Sequence, residues 1–256
     1  IAEMAAQRGM DLAVVGVPKT IDNDISHIQR SFGFETAFSI AVESISSAHV
    51  EAKGAYNGIG LVKLMGRDSG FIAANATLAM NDVNYVLVPE VPFELDGGNG
   101  LLTHLEKRLM ERQHAVICVA EGAGQGLMEH DASAIEKDAS GNVKHKDIGV
   151  FLKEKIEKYF RDKKIEITLK YIDPSYIIRS APPVPNDSIY CAQLGQYAVH
   201  AGMAGKTDLV IGQWNKNYTH VPIELAISKR RKINPNSRFW FSVIDATGQP
   251  ERMIND

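Results

Sequence analysis

The sequence predicts an α/β fold built on parallel strands. Two observations carry this. Short apolar runs alternate with stretches of helical periodicity along most of the chain, and four of those runs end in polar loops at 18–24, 65–70, 121–126 and 173–179. Ligands of open α/β sheets sit beyond the carboxyl ends of the strands, so these loops are where chemistry is expected.

Residues 1–9 read as the back half of an amphipathic helix, with Ile1, Met4 and Ala5 on one face, Gly9 as the stop and no N-cap, so further chain is expected upstream of Ile1. Residues 12–17 are a buried-strand run that Pro18 ends. Phe34, Ala37, Phe38, Ile40, Ala41 and Ile45 are spaced for a helix over 33–53, followed by a strand over 58–64. A helix over 71–80, a strand over 85–89, a glycine turn at 97–100, a helix over 101–112 and a strand over 115–120 repeat the pattern. Residues 131–147, with Gly141-Asn142 as a turn, form a polar surface excursion before a helix over 148–161. A strand over 165–172 leads into the loop 173–179. Pro182, Pro183 and Pro185 break the chain before a helix over 187–204, and a strand over 209–212 follows.

A chain of 256 residues that is 45% hydrophobic and 23% charged excludes disorder, collagen and coiled coil. A formal charge of -3 and a pI near 6.3 supply no field for a polyanion, which argues against nucleic acid. Cys118 and Cys191 lack metal-ligand spacing, the eight histidines are scattered, and the methionines read as apolar filler; a reduced, cytoplasmic protein fits. No run approaches the roughly 18 apolar residues of a membrane span, so no membrane partner is expected.

Asp22 and Asp24, with Thr20 and Lys19, place two acceptors, a hydroxyl and an ammonium at a strand end, a set suited to phosphoryl transfer; the alternative is a helix-capping Asp beside a solvated Lys. Met65-Gly66-Arg67 sets a guanidinium beside a glycine that allows close backbone approach, as anion sites do, or is a turn with a surface Arg. Glu121 is placed to accept from sugar hydroxyls, or is a loop Glu near a helix cap. Tyr176 and Arg179, at i and i+3, suit a phosphate monoester, or are a core Tyr and a salt-bridged Arg. The glycine runs at 97–100 and 122–126 match neither a Walker loop nor a dinucleotide fingerprint and read as turns. Lys229-Arg-Arg-Lys232 reads as a solvated helix end.

Taken in order, Pro18-Lys-Thr-Ile-Asp-Asn-Asp24, Leu64-Met-Gly-Arg-Asp-Ser-Gly70, Val119-Ala-Glu-Gly122 and Tyr176-Ile-Ile-Arg179 resemble the 6-phosphofructokinase family, through Gly212 or beyond. The resemblance implies two doubly wound three-layer lobes with mainly parallel sheets. Residues 1–33 and 176–228 would be part of a phosphoryl-donor lobe, 34–175 a fructose 6-phosphate lobe and 229–256 a C-terminal tail. It implies that Asp22 deprotonates the 1-hydroxyl of fructose 6-phosphate, that Thr20 and Asp24 flank the transferred phosphoryl, and that Lys19 and Ile21 belong to the same substrate loop. Met65, Gly66 and Arg67 would meet the sugar, with Arg67 placed for transition-state charge. Glu121 would take its hydroxyls, and Tyr176, Ile177, Ile178 and Arg179 would form the segment that holds the 6-phosphate. Lys170 takes the place of an arginine that many members lend to a neighbouring subunit. The activity implied is ATP-dependent phosphorylation giving fructose 1,6-bisphosphate in glycolysis, with Mg2+, in a homotetramer. Pyrophosphate as donor, and a non-catalytic sugar-phosphate-binding subunit or fragment, are the alternatives.

Three departures bear on this. Lys19 stands where bacterial-type ATP enzymes usually have Gly, and is shared by pyrophosphate-using enzymes and an ATP-using subgroup similar to them. Tyr176 replaces a common histidine, and Gly58 falls near a phosphate-binding arginine of the bacterial type. The family's glycine-rich donor loop belongs upstream of Ile1, so these residues by themselves are expected to be inactive. Lys-Leu-Met-Gly-Arg-Asp-Ser-Gly and Asp-Pro-Ser-Tyr-Ile-Ile-Arg favour the ATP-using subgroup.

Overall fold

The computed structural model describes residues 1–128 and 145–255, so most of the excursion expected over 131–147, with its Gly141-Asn142 turn, lies outside the described residues. In chain order, α1 (Ala2–Gln7) and β1 (Val15–Gly16) lead to α2 (Phe34–Gly54), β2 (Gly58–Leu64), α3 (Phe71–Ala79), β3 (Tyr85–Leu87), α4 (Leu101–Arg112) and β4 (His114–Ala120). A short 3-10 turn, Gln125–Met128, follows. Then come α5 (Ile148–Asp162), β5 (Thr168–Ile172), α6 (Ser175–Ser180), α7 (Pro185–Met203), β6 (Leu209–Trp214), β7 (Asn217–Pro222), α8 (Ile223–Ile227) and α9 (Arg238–Thr247).

The chain divides into two compact units, one of residues 1–37 and 181–232, the other of 38–180 and 233–256. The larger unit holds a fully parallel sheet in the order β3-β4-β2-β5. The inner strands β2 and β4 are buried on both faces, as their largely apolar runs require, whereas the edge strand β5 is only partly buried. On one face, Leu101, Leu105 and Leu109 of α4 and Leu152, Ile156 and Phe160 of α5 pack on Ile59, Leu61, Ile117 and Val119. On the other, α2 comes so close that a Cβ on Gly60 would strike Ala48, and α3 lies against β3 and β4. The chain leaves β2 for β3, returns to β4 and then crosses to β5. The order therefore reverses beside β2, and the carboxyl ends of β4, β2 and β5 emerge side by side.

The smaller unit has the sheet β1-β6-β7, parallel between β1 and β6 and antiparallel between β6 and β7. Tyr190, Leu194 and Ala201 of α7 pack with Leu209 and Ile211 on one side; Ile28 and Ala226 pack with Val221 on the other.

Several expectations are corrected. The strand over 12–17 shrinks to Val15–Gly16, because Leu12 and Val17 are exposed. The loop 173–179 contains α6. The sheets are mainly parallel as expected, with β7 alone among the described strands pairing antiparallel. Residues 229–256, expected as a tail, carry α9, which buries Trp240, Val243 and Thr247 and is N-capped by the Ser237 hydroxyl. Nor are all methionines filler, since Met4, Met10, Met110 and Met203 are exposed.

Candidate active site

The four loops divide between the units: 18–24 belongs to the smaller, and 65–70, 121–126 and 173–179 to the larger.

Loop 18–24 leaves the carboxyl end of β1 and folds back along itself. The Phe32 N–H donates to the Pro18 carbonyl at 3.1 Å, and Lys19 and Phe32 form a bridge. Thr20 Oγ1 accepts from the Asp22 N–H at 3.1 Å and donates to Asp24 Oδ1 at 3.5 Å. Asn23, between the two aspartates, has φ 56° and is buried; Asn tolerates this left-handed geometry, and its Oδ1 accepts from the Ser31 N–H at 3.0 Å. No helix follows until Phe34, so neither Asp22 nor Asp24 is a helix cap. The loop is also held from 229–232. Arg231 donates from its backbone to the Asp24 carbonyl at 2.7 Å and from Nη1 to the Ile28 and Gln29 carbonyls, while Arg230 pairs with Asp24 at 3.9 Å. The basic cluster is thus no simple solvated helix end; burial lowers the pKa of Arg231.

In the larger unit, loop 65–70 turns through positive φ at Gly66 (139°) and Arg67 (46°). Glu121 Oε1 accepts from the backbone N–H of Gly66 at 3.2 Å and of Arg67 at 2.7 Å, so a carboxylate of the protein itself already occupies those donors. Glu90 does the same for Gly70, whose N–H lies 3.1 Å from both carboxylate oxygens, and also accepts from the Ile233 N–H at 3.0 Å. Beside Glu121, a Cβ on Gly122 would collide with the Arg67 carbonyl oxygen, which is why glycine is needed there. Met65 is buried beneath the loop.

In α6, Tyr176 is 88% and Ile177 63% exposed, Arg179 is exposed, and Ile178 is the buried anchor. Tyr176 is therefore no core residue. It shares the i, i+3 face with Arg179, for which the described residues offer no ion-pair partner. Lys170 projects into solvent from the edge strand β5. The structure thus joins Gly66, Arg67 and Glu121 directly, and Tyr176 with Arg179 on one helix face, and leaves Lys170 outside both groups.

Sequence reasoning passed over a cluster beside these loops. Lys63, the penultimate residue of β2 and 12% exposed, reaches Asp147 Oδ2 at 2.7 Å and Asp173 Oδ2 at 2.9 Å. Burial works against its charge, but the two carboxylates prevail and hold its pKa above the ordinary ammonium range. Burial likewise opposes ionisation of Asp147 and Asp173. Hydrogen bonds from Lys63 to both, and from Ser175 to Asp173, nevertheless keep both below the ordinary range. Tyr171, whose hydroxyl lies 3.1 Å from Asp147 Oδ1, is pushed up to about 12, chiefly by burial. The signal was a charged residue inside an otherwise apolar strand run. A separate cavity of about 430 Å³, lined among others by Glu90, Trp240, Phe241 and Arg252, includes none of the expected site residues.

The phosphofructokinase family model matches residues 1–202. The chain belongs to the phosphofructokinase family. Among curated members it is 54% identical to the ATP-dependent 6-phosphofructokinase of Borreliella burgdorferi, with all of this chain and 58% of that protein aligned. It is 49% identical to the ATP-dependent 6-phosphofructokinase of Amycolatopsis methanolica, over 95% of this chain and 54% of that one. The chain spans about half the length of the curated relatives it matches. A solved pyrophosphate-dependent phosphofructokinase from Marinobacter aquaeolei shares the fold, with a TM-score of 0.71 at 18% identity, covering 96% of this chain and 62% of that structure. A second, from Nitrosospira multiformis, superposes with a TM-score of 0.72 at 17% identity, with 96% and 62% covered. The phosphofructokinase fold expected from the motifs is thus confirmed.

Proposed function

We propose that the protein carrying this chain transfers the γ-phosphoryl group of ATP to the 1-hydroxyl of fructose 6-phosphate, giving fructose 1,6-bisphosphate and ADP. The observation that carries this reading is the loop 18–24. It holds two carboxylates and a hydroxyl at a strand end by its own hydrogen bonds, with no helix for either aspartate to cap. Asp22 takes the proton of the 1-hydroxyl as that oxygen bonds to the γ-phosphorus and the bond to the β-phosphate oxygen breaks. Thr20 and Asp24 flank the moving group, with Lys19 and Ile21 in the same loop. Arg67 offers charge to the transition state, and Glu121, whose Oε1 is engaged, offers Oε2 to a sugar hydroxyl. Tyr176 and Arg179 hold the 6-phosphate.

ATP is preferred over pyrophosphate because relatives 45–54% identical are named ATP-dependent, whereas the pyrophosphate-dependent structures are under 20% identical. Mg2+ accompanies the donor's phosphates in this reading. No helix among the described residues is long and apolar enough to cross a membrane; glycolysis in the cytoplasm, as a homotetramer, belongs to the same reading.

The test is Asp22→Asn in the full-length enzyme, which should lower kcat by roughly 10²- to 10⁴-fold with little change in fructose 6-phosphate affinity. A kcat within about threefold of wild type removes Asp22 as the base, and faster turnover with pyrophosphate than with ATP reverses the donor.

A further inference from the structure

Resting on the acceptor assignment above, we infer that Lys63 is a positioning residue for the sugar-phosphate site. Its ammonium fixes α6, which carries Tyr176 and Arg179, to the end of β2, which carries Met65, Gly66 and Arg67.

Each carboxylate that Lys63 reaches has its other oxygen committed to a helix start. Asp147 Oδ1 accepts from the Gly149 N–H at 2.9 Å and the Val150 N–H at 3.1 Å, capping α5. Asp173 Oδ1 accepts from the Ser175 N–H at 3.1 Å and from the Ser175 hydroxyl at the start of α6. The second oxygens, at 2.7 and 2.9 Å, converge on Lys63 Nζ. One cation thus ties two helix starts to β2, an inner strand of the sheet, two residues before Met65. A six-residue helix is too short to hold itself, and Ile178 is the only buried residue of α6, so its orientation depends on such ties. Without the ammonium, two carboxylates would remain facing one another in a partly buried site, and repulsion would move Asp173 and α6 away from β2. Exposed ion pairs contribute little; Asp147 and Asp173 are 42% and 34% exposed, but the cation they share is only 12% exposed, which sets the three apart from a surface pair.

The experiment compares Lys63→Met, Lys63→Arg and Arg179→Ala in the full-length protein, with fructose 6-phosphate binding measured calorimetrically beside steady-state kinetics. Lys63→Met keeps the stem and removes the charge. It should weaken fructose 6-phosphate binding by roughly 10-fold, raise its KM in parallel, and leave kcat and the donor KM within about threefold. Lys63→Arg should recover most of the affinity. A merely structural ion pair would lower the melting temperature of Lys63→Met without this selective loss of acceptor affinity, and that result overturns the inference. So does an arginine variant no better than the methionine one, because charge would then not be the agent. If Arg179→Ala loses acceptor affinity while Lys63→Met does not, the Lys63 inference alone fails; if neither loses it, the acceptor assignment fails and takes the inference with it. Should Lys63→Met not fold, Asp173→Asn cuts the same tie, and unaltered fructose 6-phosphate affinity in that variant is the overturning result.

Discussion

Glu121 shows how one side chain serves both the fold and the proposed chemistry. Its Oε1 satisfies two adjacent N–H groups in a turn of positive φ, where Arg67 at 46° occupies a region that a branched or long side chain enters only under constraint. The carboxylate supplies that constraint, and the neighbouring Gly122 allows the two loops to approach. Two effects can therefore be separated. Glu121→Gln keeps an amide oxygen facing the donors and should retain stability to within about 1 kcal/mol, losing only the charge offered to a ligand. Glu121→Ala strands both part-buried donors and should cost about 1–3 kcal/mol. Thermal or denaturant unfolding of the two variants checks this; equal destabilisation would mean that the backbone bonds do not hold the turn.

At the scale of elements, α4 illustrates a local rule broken without a compensating gain. Its C-cap, Gln113, is exposed and left-handed at φ 60°, with its N–H donating to the Leu109 carbonyl. Glycine is preferred there because it has no Cβ to strain. Gln113→Gly should stabilise the larger unit by about 0.5–1 kcal/mol, the relief of strain being partly offset by the greater freedom of the unfolded chain. A lower melting temperature would count against the strain argument. The stripe of α4 and the apolar run of β2 were fully legible in the sequence, because burial on a regular period is written into adjacent residues. What was not legible has the opposite character. The residues Asn217–Pro222 of β7 are polar because it lies at a sheet edge, and α6 is short and preceded by Pro174, so neither carries a periodic signal. The candidate loops were found from their composition at strand ends. The bonds that hold them, from Glu121 to Gly66 and Arg67, Glu90 to Gly70 and Arg231 to residues 24–29, join residues 20 to more than 200 positions apart and left no spacing to read.

At the scale of the molecule, the shifted ionisable groups of the larger unit set a window of stability rather than a single slope. On the acid side, burial and Lys107 lower the pKa of His104, hydrogen bonds from Asn255 lower that of Glu94, and Lys163 and Tyr159 lower that of Glu106. Asp147 and Asp173 are lowered as described above. A group whose folded pKa lies below its unfolded one contributes stability above the unfolded value and loses it as pH falls through the folded one. Loss should therefore begin below about 6.5 with His104 and continue through the range beneath 4.5 and 3.8 with the carboxylates. On the alkaline side, burial raises Cys118, Tyr85 and Tyr171 to about 12 each, from ordinary values of 9.0, 10.0 and 10.0. Their neutral forms are the ones the fold accommodates, so this contribution is complete below the unfolded values and is lost as pH rises from about 9 towards 12. Lys63, held above its ordinary range by Asp147 and Asp173, adds a loss of the same sign. Calorimetric melting across this range should give a plateau between about 6.5 and 9, with melting temperatures falling on both flanks. A unit of this size shifts its melting temperature by roughly 2–4 °C per kcal/mol, so calorimetry resolves the fall on each flank. A melting temperature that keeps rising above pH 9, or one that rises on acidification below pH 4, would show that these groups do not govern the unfolding of the larger unit.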